Sequence, residues 1–239
     1  MSEVKKIKTI VVDTINQIQN NQYMSLLDRG TMVSRDKWKD FGVELYTFLV
    51  EGLQSRGFEV VLILGSEGSG KSFGIKYLEP GTNIWYNADR KNPTFLNVEY
   101  GDKTYPAREV YGRKNAPSKY MVLPQSYKDI LAHLDQVIQS SALDDNRMAF
   151  IIGHMEEYKA TDGEIRTRLK TLGNLATKMN IEGSVENLLY SRVFVEGDKA
   201  EYRLETQNNG FNAARTTEGA FSERFIPNNF DYIYNSLMQ

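Results

Sequence analysis

The stretch that decides the fold of this chain is residues 60–72, VVLILGSEGSGKS. Its first five residues are an uninterrupted apolar run, which predicts a strand buried on both faces of a sheet. The next eight fit the pattern G-x-x-x-x-G-K-[ST], in which glycines allow backbone N–H groups to surround phosphate oxygens. Residues 71–78 predict a helix, whose N-terminus favours an anion. A strand, a Gly-rich loop and a helix in this order predict a phosphate-binding loop rather than a chance Gly-rich turn.

The residue types of this loop predict ATP and Mg²⁺ as cofactors. Lys71 is expected to reach the β- and γ-phosphates as a point charge and so to act in catalysis, and the Ser72 hydroxyl is expected to hold Mg²⁺. The expected nucleotide-binding residues of the loop are Gly65, Ser66, Glu67, Gly68, Ser69, Gly70, Lys71 and Ser72.

The composition is that of a globular protein and excludes several kinds of site. With 239 residues, 41% hydrophobic and 25% charged, the chain suits one α/β domain over residues 1–239. A net charge of −2 means that any nucleic-acid site must be a local patch. The chain has no cysteine and two histidines, so we expect no disulfide, no thiolate metal site, no cysteine nucleophile and no histidine metal centre. It shows no signal peptide and no long apolar segment, so we expect a cytoplasmic location and no membrane partner.

Short apolar runs and helical spacing alternate along the chain and predict a three-layer α/β fold with a mostly parallel sheet. The predicted strands are residues 9–12, 60–64, 83–86, 148–152, 188–195 and 201–205. The predicted helices, besides residues 71–78, are residues 36–55, 126–139, 164–179 and 229–238. Residues 90–124 contain four prolines and a hairpin pattern around Gly101, which predicts a small β-hairpin insertion on the sheet edge.

Three polar residues end predicted strands and are candidates for the chemistry. Asp13 is expected to orient Mg²⁺, although it could simply be an acid that starts a turn. Asp89 is expected to position the attacking water, with a surface acid as the alternative. His154 is expected to sense the γ-phosphate, with an ordinary hydrogen-bonded histidine as the alternative.

These residues resemble a known family. Asp13-Thr14, a polar loop, an amphipathic helix and an apolar strand resemble the Walker B region of RecA-like recombinases. Asn87-Ala88-Asp89 is similar to the strand end that carries their catalytic glutamate, and Gly153-His154 stands at the place of their switch glutamine. The tail, including residues 206–210 and 226–228, is similar to small phage-encoded RecA-like ATPases that act in single-strand annealing.

The order of these segments departs from that family. There the P-loop strand comes first, and the acidic strand and then the switch strand follow. Here Asp13 precedes Lys71, so the sequence predicts a circularly permuted RecA-like core with its termini before the acidic strand. The strands that end at Gly65 and Gly153 are expected to be neighbours, which would still assemble the site.

The resemblance implies partners as well as a reaction. Two polar loops, residues 20–35 and 156–170, would face single-stranded DNA, and the second carries the expected contacts Lys159, Arg166, Arg168 and Lys170. Residues 90–120 interleave basic and aromatic residues, which suits a single strand but also suits a solvated face with packed tyrosines. Arg215 could reach a nucleotide as an arginine finger or could be a surface arginine.

The sequence therefore predicts an ATP-hydrolysing RecA-like protein that forms a homo-oligomer and acts with single-stranded DNA in phage-type recombination or annealing. For a phage-encoded protein the expected location is the host cytoplasm. Two alternatives stay open. One is a nucleotide-dependent switch or assembly protein without DNA coupling. The other is a small-molecule kinase, which the absence of an arginine-rich lid disfavours.

Overall fold

The structure, a computed structural model, describes residues 5–28, 35–172 and 180–239, and for residues 35–39 it describes the backbone alone. The helices are α1 (Ile15–Asp28), α2 (Arg35–Thr47), α3 (Ala107–Val110), α4 (Tyr127–Gln139) and α5 (Phe230–Leu237). The strands are β1 (Ile7–Asp13), β2 (Phe58–Gly65), β3 (Asn83–Asn87), β4 (Asn97–Tyr100), β5 (Lys103–Pro106), β6 (Gly112–Arg113), β7 (Ala116–Pro117), β8 (Met121–Val122), β9 (Leu143–Lys159), β10 (Ile165–Leu169), β11 (Asn187–Glu196), β12 (Lys199–Glu205) and β13 (Phe225–Pro227).

A nine-stranded, mostly parallel sheet forms the centre of the fold. Its strand order is β13-β12-β11-β2-β9-β1-β3-β8, and β10 pairs with the far end of β9. The six strands from β11 to β8 run parallel to their neighbours, whereas β12, β13 and β10 are antiparallel additions. The predicted α/β class with a mostly parallel sheet is confirmed.

Each face of the sheet is covered, because alternate side chains of a strand point to opposite faces. Val60, Leu62 and Leu64 of β2 face a core built with α1, α4 and the helical run of residues 45–53. Val61 and Ile63 face a second core that includes α5 and the short helix after β2. Burial on both faces explains why β2 is apolar without alternation.

All six predicted strands lie within observed strands, and three predicted helices are present. The helix predicted over residues 36–55 is observed as α2, a wider π-type turn (Phe48–Leu53) and a 3₁₀ turn (Gln54–Arg56), which ends at Gly57 with φ of 76°. Ser126 caps α4 through a capping box with Asp129, and the Asn229 side chain caps α5.

Two secondary-structure predictions are wrong and one is changed in type. The helix predicted over 164–179 is a strand at its start, because Ile165, Thr167 and Leu169 alternate with arginines and β10 pairs with β9. Residues 173–179 lie outside the described residues. The loop predicted over 20–35 belongs to α1 as far as Asp28, and residues 29–34 lie outside the described residues. The helix after β2 is a 3₁₀ helix (Lys71–Tyr77).

The segment 90–124 forms the predicted hairpin, β4–β5, and also supplies the edge strand β8. Phe95, Val98 and Tyr111 are buried against the second core, and the Tyr111 ring lies 5.5 Å from that of Trp85. The segment therefore lies on one face of the sheet beside β3. Within the described part of the chain, no helix is both long and apolar enough to cross a membrane.

Candidate functional site

The carboxyl ends of four parallel strands bring most of the predicted site residues together. Gly65 at the end of β2 is paired with His154 in β9, and Asp13 at the end of β1 is paired with Asn87 at the end of β3. A cleft of about 470 Å³ opens at this edge, and Asp13, Lys71, Ser72, Asp89 and His154 all line it. Ligands of open α/β sheets bind at this end of the strands.

The Gly-rich loop has the backbone that the motif predicts. Gly68 and Gly70 have φ of 75° and 79°, a conformation that side chains rarely adopt. A Cβ on Gly70 would lie 2.3 Å from the Tyr202 ring, so glycine is required there for close packing as well. The loop therefore turns tightly with its backbone exposed to the cleft.

Residues far away in the chain hold this loop in place. The Ser191 hydroxyl in β11 donates to the Ser69 carbonyl at 2.6 Å, and the Asn228 amide donates to the Gly70 carbonyl at 2.6 Å. Tyr202 of β12 packs over Gly70 and against Phe73, with ring centroids 5.3 Å apart. No local motif links these residues to the loop, so their role could not be predicted from the sequence.

Lys71 is turned into the loop in this structure. Its side-chain Nζ donates to the carbonyls of Gly65 at 3.0 Å and Ser66 at 2.6 Å, and the residue is 7% exposed. Burial lowers the pKa of Lys71, and the nearby Asp13 carboxyl opposes that effect. Phosphate oxygens are stronger partners for an ammonium than carbonyls are, so a bound phosphate would compete for these hydrogen bonds.

Asp13 and Ser72 form the oxygen-rich part of the cleft. The Ser72 hydroxyl lies close enough to the Asp13 carboxyl to lower its pKa, and both side chains line the cleft. Burial raises the pKa of Asp13 to about 6, and the neighbouring Asp89 carboxyl adds to that effect. A hydroxyl beside a carboxylate is a donor set that suits Mg²⁺, which takes few protein ligands and completes its shell with phosphates and water. Among the described residues, no group of three or more His, Cys, Asp or Glu side chains could hold a metal by itself.

Asp89 lines the cleft but is held by two partners. It accepts a hydrogen bond from the Thr14 hydroxyl at 3.3 Å and forms an ion pair with Lys91 at 2.8 Å. Lys91 also lines the cleft. The acid lines the cleft, and its charge is shared with the exposed Lys91 two residues along the chain.

His154, in β9, contacts Lys71 beside the loop, and its carbonyl accepts a hydrogen bond from the Lys170 N–H at the end of the β9–β10 hairpin. Its Nδ1 lies 3.4 Å from Lys71 Nζ, and its backbone N–H donates to the Asn16 side chain at 2.7 Å. Burial lowers the pKa of His154, and the Lys71 charge lowers it further. Because an ammonium only donates, Nδ1 is the accepting nitrogen and the neutral ring carries its proton on Nε2. The Asn16 side chain also donates to the Lys170 carbonyl at 2.6 Å, so this one side chain contacts both β9, at His154, and the residue that follows β10.

Arg215 is not brought to the cleft of its own chain. Its guanidinium donates to the backbone carbonyls of Val185, at 2.9 Å, and of Glu182. Its backbone pairs with Leu188 near the start of β11, and its side chain does not line the cleft. Within one chain, Arg215 therefore stabilises the turn before β11.

The segment predicted as a polar DNA loop, residues 156–170, is an antiparallel hairpin of β9 and β10. Arg168 forms an ion pair with Glu156 at 2.9 Å, and Arg166 forms one with Asp162. Lys159 and Lys170 are exposed. The four basic residues of this segment face four acidic residues in the same segment, so the hairpin has no net charge.

No protein-family model matches this chain, and no curated protein matches it. The cleft itself therefore carries the functional conclusions. Thr14 and Lys91 are the site residues that sequence reasoning could have reached, because they lie one and two residues from Asp13 and Asp89.

Proposed function

We propose that this chain is a Mg²⁺-dependent, ATP-hydrolysing P-loop protein with a RecA-like core. The observation that carries the proposal is the convergence of the Gly-rich loop, Lys71, Asp13 and Ser72 in one cleft. Its volume of about 470 Å³ lies in the range of ordinary small-ligand sites.

Each residue has a role that follows from its contacts. The loop N–H groups and Lys71 would bind the phosphates, and Ser72 and Asp13 would hold Mg²⁺. A bound Mg²⁺ would supply positive charge that neutralises the charge developing on the phosphates. Asp89 positions the attacking water once Lys91 turns from it toward the phosphates. His154, which contacts Lys71, transmits the presence of the γ-phosphate to the β9–β10 hairpin.

The topology supports the RecA-like part of the proposal in a specific form. In the order that the resemblance implies, the acidic and switch strands both follow the P-loop strand. Here β1 precedes β2, but β9 still follows it. A rotation of the whole chain order would also bring β9 ahead of β2. We therefore propose that β1 alone has changed its place in the chain.

The biological setting that we propose is phage-type recombination or annealing, with a homo-oligomer acting on single-stranded DNA. The chain's neutral β9–β10 hairpin gives little support to DNA contact at that place. A second candidate function is a nucleotide-dependent switch with slow turnover. The ion pair between Asp89 and Lys91 favours it, because an Asp89 carboxyl that is bound to Lys91 is not free to position the attacking water.

The test is ATP hydrolysis with and without single-stranded DNA. Lys71→Ala is expected to lower hydrolysis by roughly 100- to 1000-fold, because it removes a cation that stabilises the transferred phosphoryl group. Lys199→Ala, which changes an exposed lysine on β12, is the matched control. Hydrolysis that survives in Lys71→Ala would sink the proposed site. Nucleotide binding with negligible turnover would favour the switch.

A further inference from the structure

A second cavity, of about 490 Å³, lies beside the nucleotide cleft in the segment 90–124, which we call the basic lobe. Its wall includes Pro93, Leu96, Arg108 and Arg113. Asn92 lines both this cavity and the cleft. Asn92 and its neighbours in the chain therefore separate the second cavity from the nucleotide cleft. A ligand in the second cavity would lie next to the proposed site of hydrolysis.

The basic lobe is the most positive part of the chain. It carries seven lysines and arginines against three acids, a net charge of +4, whereas the whole chain has −2. One of the three acids, Glu99, is paired with Lys76, which lies outside the lobe, at 3.1 Å. Arg108 and Arg113 are exposed, and neither has an acidic partner among the residues that the structure describes. Their guanidinium groups are available to an anion.

The second cavity combines these cations with apolar surface. The side chains of Pro93 and Leu96 line it, and Leu96 is 89% exposed. Guanidinium groups bind phosphates in a bidentate manner, and an apolar surface next to them can cover the face of an unstacked base. A duplex keeps its base faces stacked, whereas a single strand presents both phosphates and base faces.

We propose that the basic lobe binds single-stranded nucleic acid, with Arg108 and Arg113 on backbone phosphates. The bound strand acts on the nucleotide cleft through Asn92, and this second part rests on the proposed function. The Asn92 side chain accepts a hydrogen bond from the Lys114 N–H at 3.1 Å, next to Arg113. On its other side, the Lys91 carbonyl accepts from the Asn87 side chain at 2.6 Å, and Lys91 holds Asp89. A shift of Lys114 therefore moves the residue that restrains Asp89.

The first test measures binding without nucleotide, by the fluorescence anisotropy of labelled oligothymidylate and oligouridylate, with a duplex as comparison. The test variant is Arg108→Glu with Arg113→Glu, and Arg108→Gln with Arg113→Gln is the milder second variant. The matched control is Lys159→Glu with Lys170→Glu, which changes the net charge equally on the β9–β10 hairpin. Circular dichroism and thermal unfolding verify that each variant folds.

The arginine variants are expected to weaken binding of the single strands by about tenfold or more and to reduce the log–log salt slope by about 1.4, the value for two phosphates. The hairpin control is expected to bind as the unmodified chain does. Tighter binding of oligothymidylate than of oligouridylate would identify DNA as the partner, and the reverse RNA. The proposal would be overturned if the hairpin control weakened binding as much as the arginine variants do. Tighter binding of the duplex than of the single strands, or no binding by the unmodified chain, would also overturn it.

A second test separates binding from coupling. Asn92→Ala is expected to bind oligothymidylate within about twofold of the unmodified chain, because Asn92 contributes no charge. It is also expected to lose any stimulation of ATP hydrolysis by the strand. Stimulation that persists in Asn92→Ala would overturn the coupling. Since anisotropy needs no ATP, a failure of ATP hydrolysis and a failure of the binding surface give different results.

Discussion

The Gly-rich loop and the β9–β10 hairpin leave the same edge of the sheet from neighbouring strands, yet the sequence predicts their structures with unequal success. The loop has left-handed glycines at positions 68 and 70, as a tight Gly-rich turn requires, although the helix after it is a 3₁₀ helix. The family resemblance predicts that the hairpin contacts DNA through its four basic residues. In the structure two of those residues, Arg166 and Arg168, are paired with acids of the same hairpin.

The difference shows that a list of charges does not define a binding surface. Whether a cation is available depends on which acids the strand pairing places beside it. The antiparallel register sets Arg168 opposite Glu156, and Arg168 also packs on the Tyr158 ring at 4.6 Å. The basic lobe has fewer internal acids, and its two cavity arginines are unpaired among the described residues.

The largest expected effect concerns Asp13 in the cleft. Asp13→Asn is expected to lower Mg²⁺-dependent ATP hydrolysis by roughly 100-fold or more, because a metal-holding carboxylate is lost beside the transferred phosphate. Glu157→Gln, an exposed acid on the hairpin, is the control and is expected to keep its activity. Full hydrolysis by Asp13→Asn across a Mg²⁺ titration would remove Asp13 from the site.

The same residue gives a prediction for the stability of the metal-free protein in EDTA. Burial raises the pKa of Asp13 to about 6, above its ordinary value of 3.8, so the folded state binds this proton more tightly than the unfolded state. The stability that protonation of Asp13 contributes is fully present below the pKa of the unfolded chain and is lost as pH rises through about 6. The free energy of unfolding is expected to fall by up to about 3 kcal/mol over that range. Above that pH, Asp13→Asn is expected to raise the free energy of unfolding. Urea unfolding above about pH 6 measures this difference. If Asp13→Asn were less stable than the unmodified chain there, burial would not be what raises the pKa of Asp13.

A pair of glycines compares the two regions directly. Gly70 in the loop and Gly163 in the hairpin turn have φ of 79° and 89°, but only at Gly70 would a Cβ meet another residue, Tyr202. Gly163→Ala is expected to cost about 1 kcal/mol of stability through its backbone alone. Gly70→Ala is expected to cost about 1–3 kcal/mol more and to weaken ATP binding.

Urea unfolding and nucleotide titration measure both glycine variants. Adding Tyr202→Ala to Gly70→Ala is expected to recover part of the loss, because it removes the clash. Equal costs at Gly70 and Gly163 would mean that the loop is not packed as described.

The smallest expected effect is that of Arg168→Gln in the hairpin. It is expected to change the affinity for oligothymidylate by less than about twofold, since its charge is already neutralised, and to cost under about 1 kcal/mol of stability. Arg108→Gln in the basic lobe, measured in parallel, is expected to weaken binding several-fold more. A larger loss at Arg168 than at Arg108 would restore the original assignment of DNA contact to residues 156–170.

Much of the fold was predictable because its signals are local. The apolar run before Gly65 predicted β2, and helical spacing predicted α4 and α5, whose starts the structure shows to be capped by Ser126 and Asn229. The helix predicted over residues 164–179 was wrong for a local reason too. The alternation of apolar and basic residues that makes β10 covers only five residues, which is too short to distinguish it from part of a longer helix. The helix α1 was missed because its amide-rich surface resembles a polar loop.

By itself, the sequence determined the Gly-rich loop after β2, the strands and the acids at their ends, since each depends on residue types that are adjacent in the chain. The sequence also predicted that β2 and β9 are neighbours, but only the tertiary structure decided that β1 lies between β9 and β3, which brings Asp13 to the cleft with Lys71. It also decided that Ser191, Tyr202 and Asn228 hold the loop, and that Arg215 faces away from the cleft. The contacts of Ser191, Tyr202 and Asn228 with the loop join residues more than a hundred positions apart, and they follow from strand pairing and from the packing of side chains across a sheet.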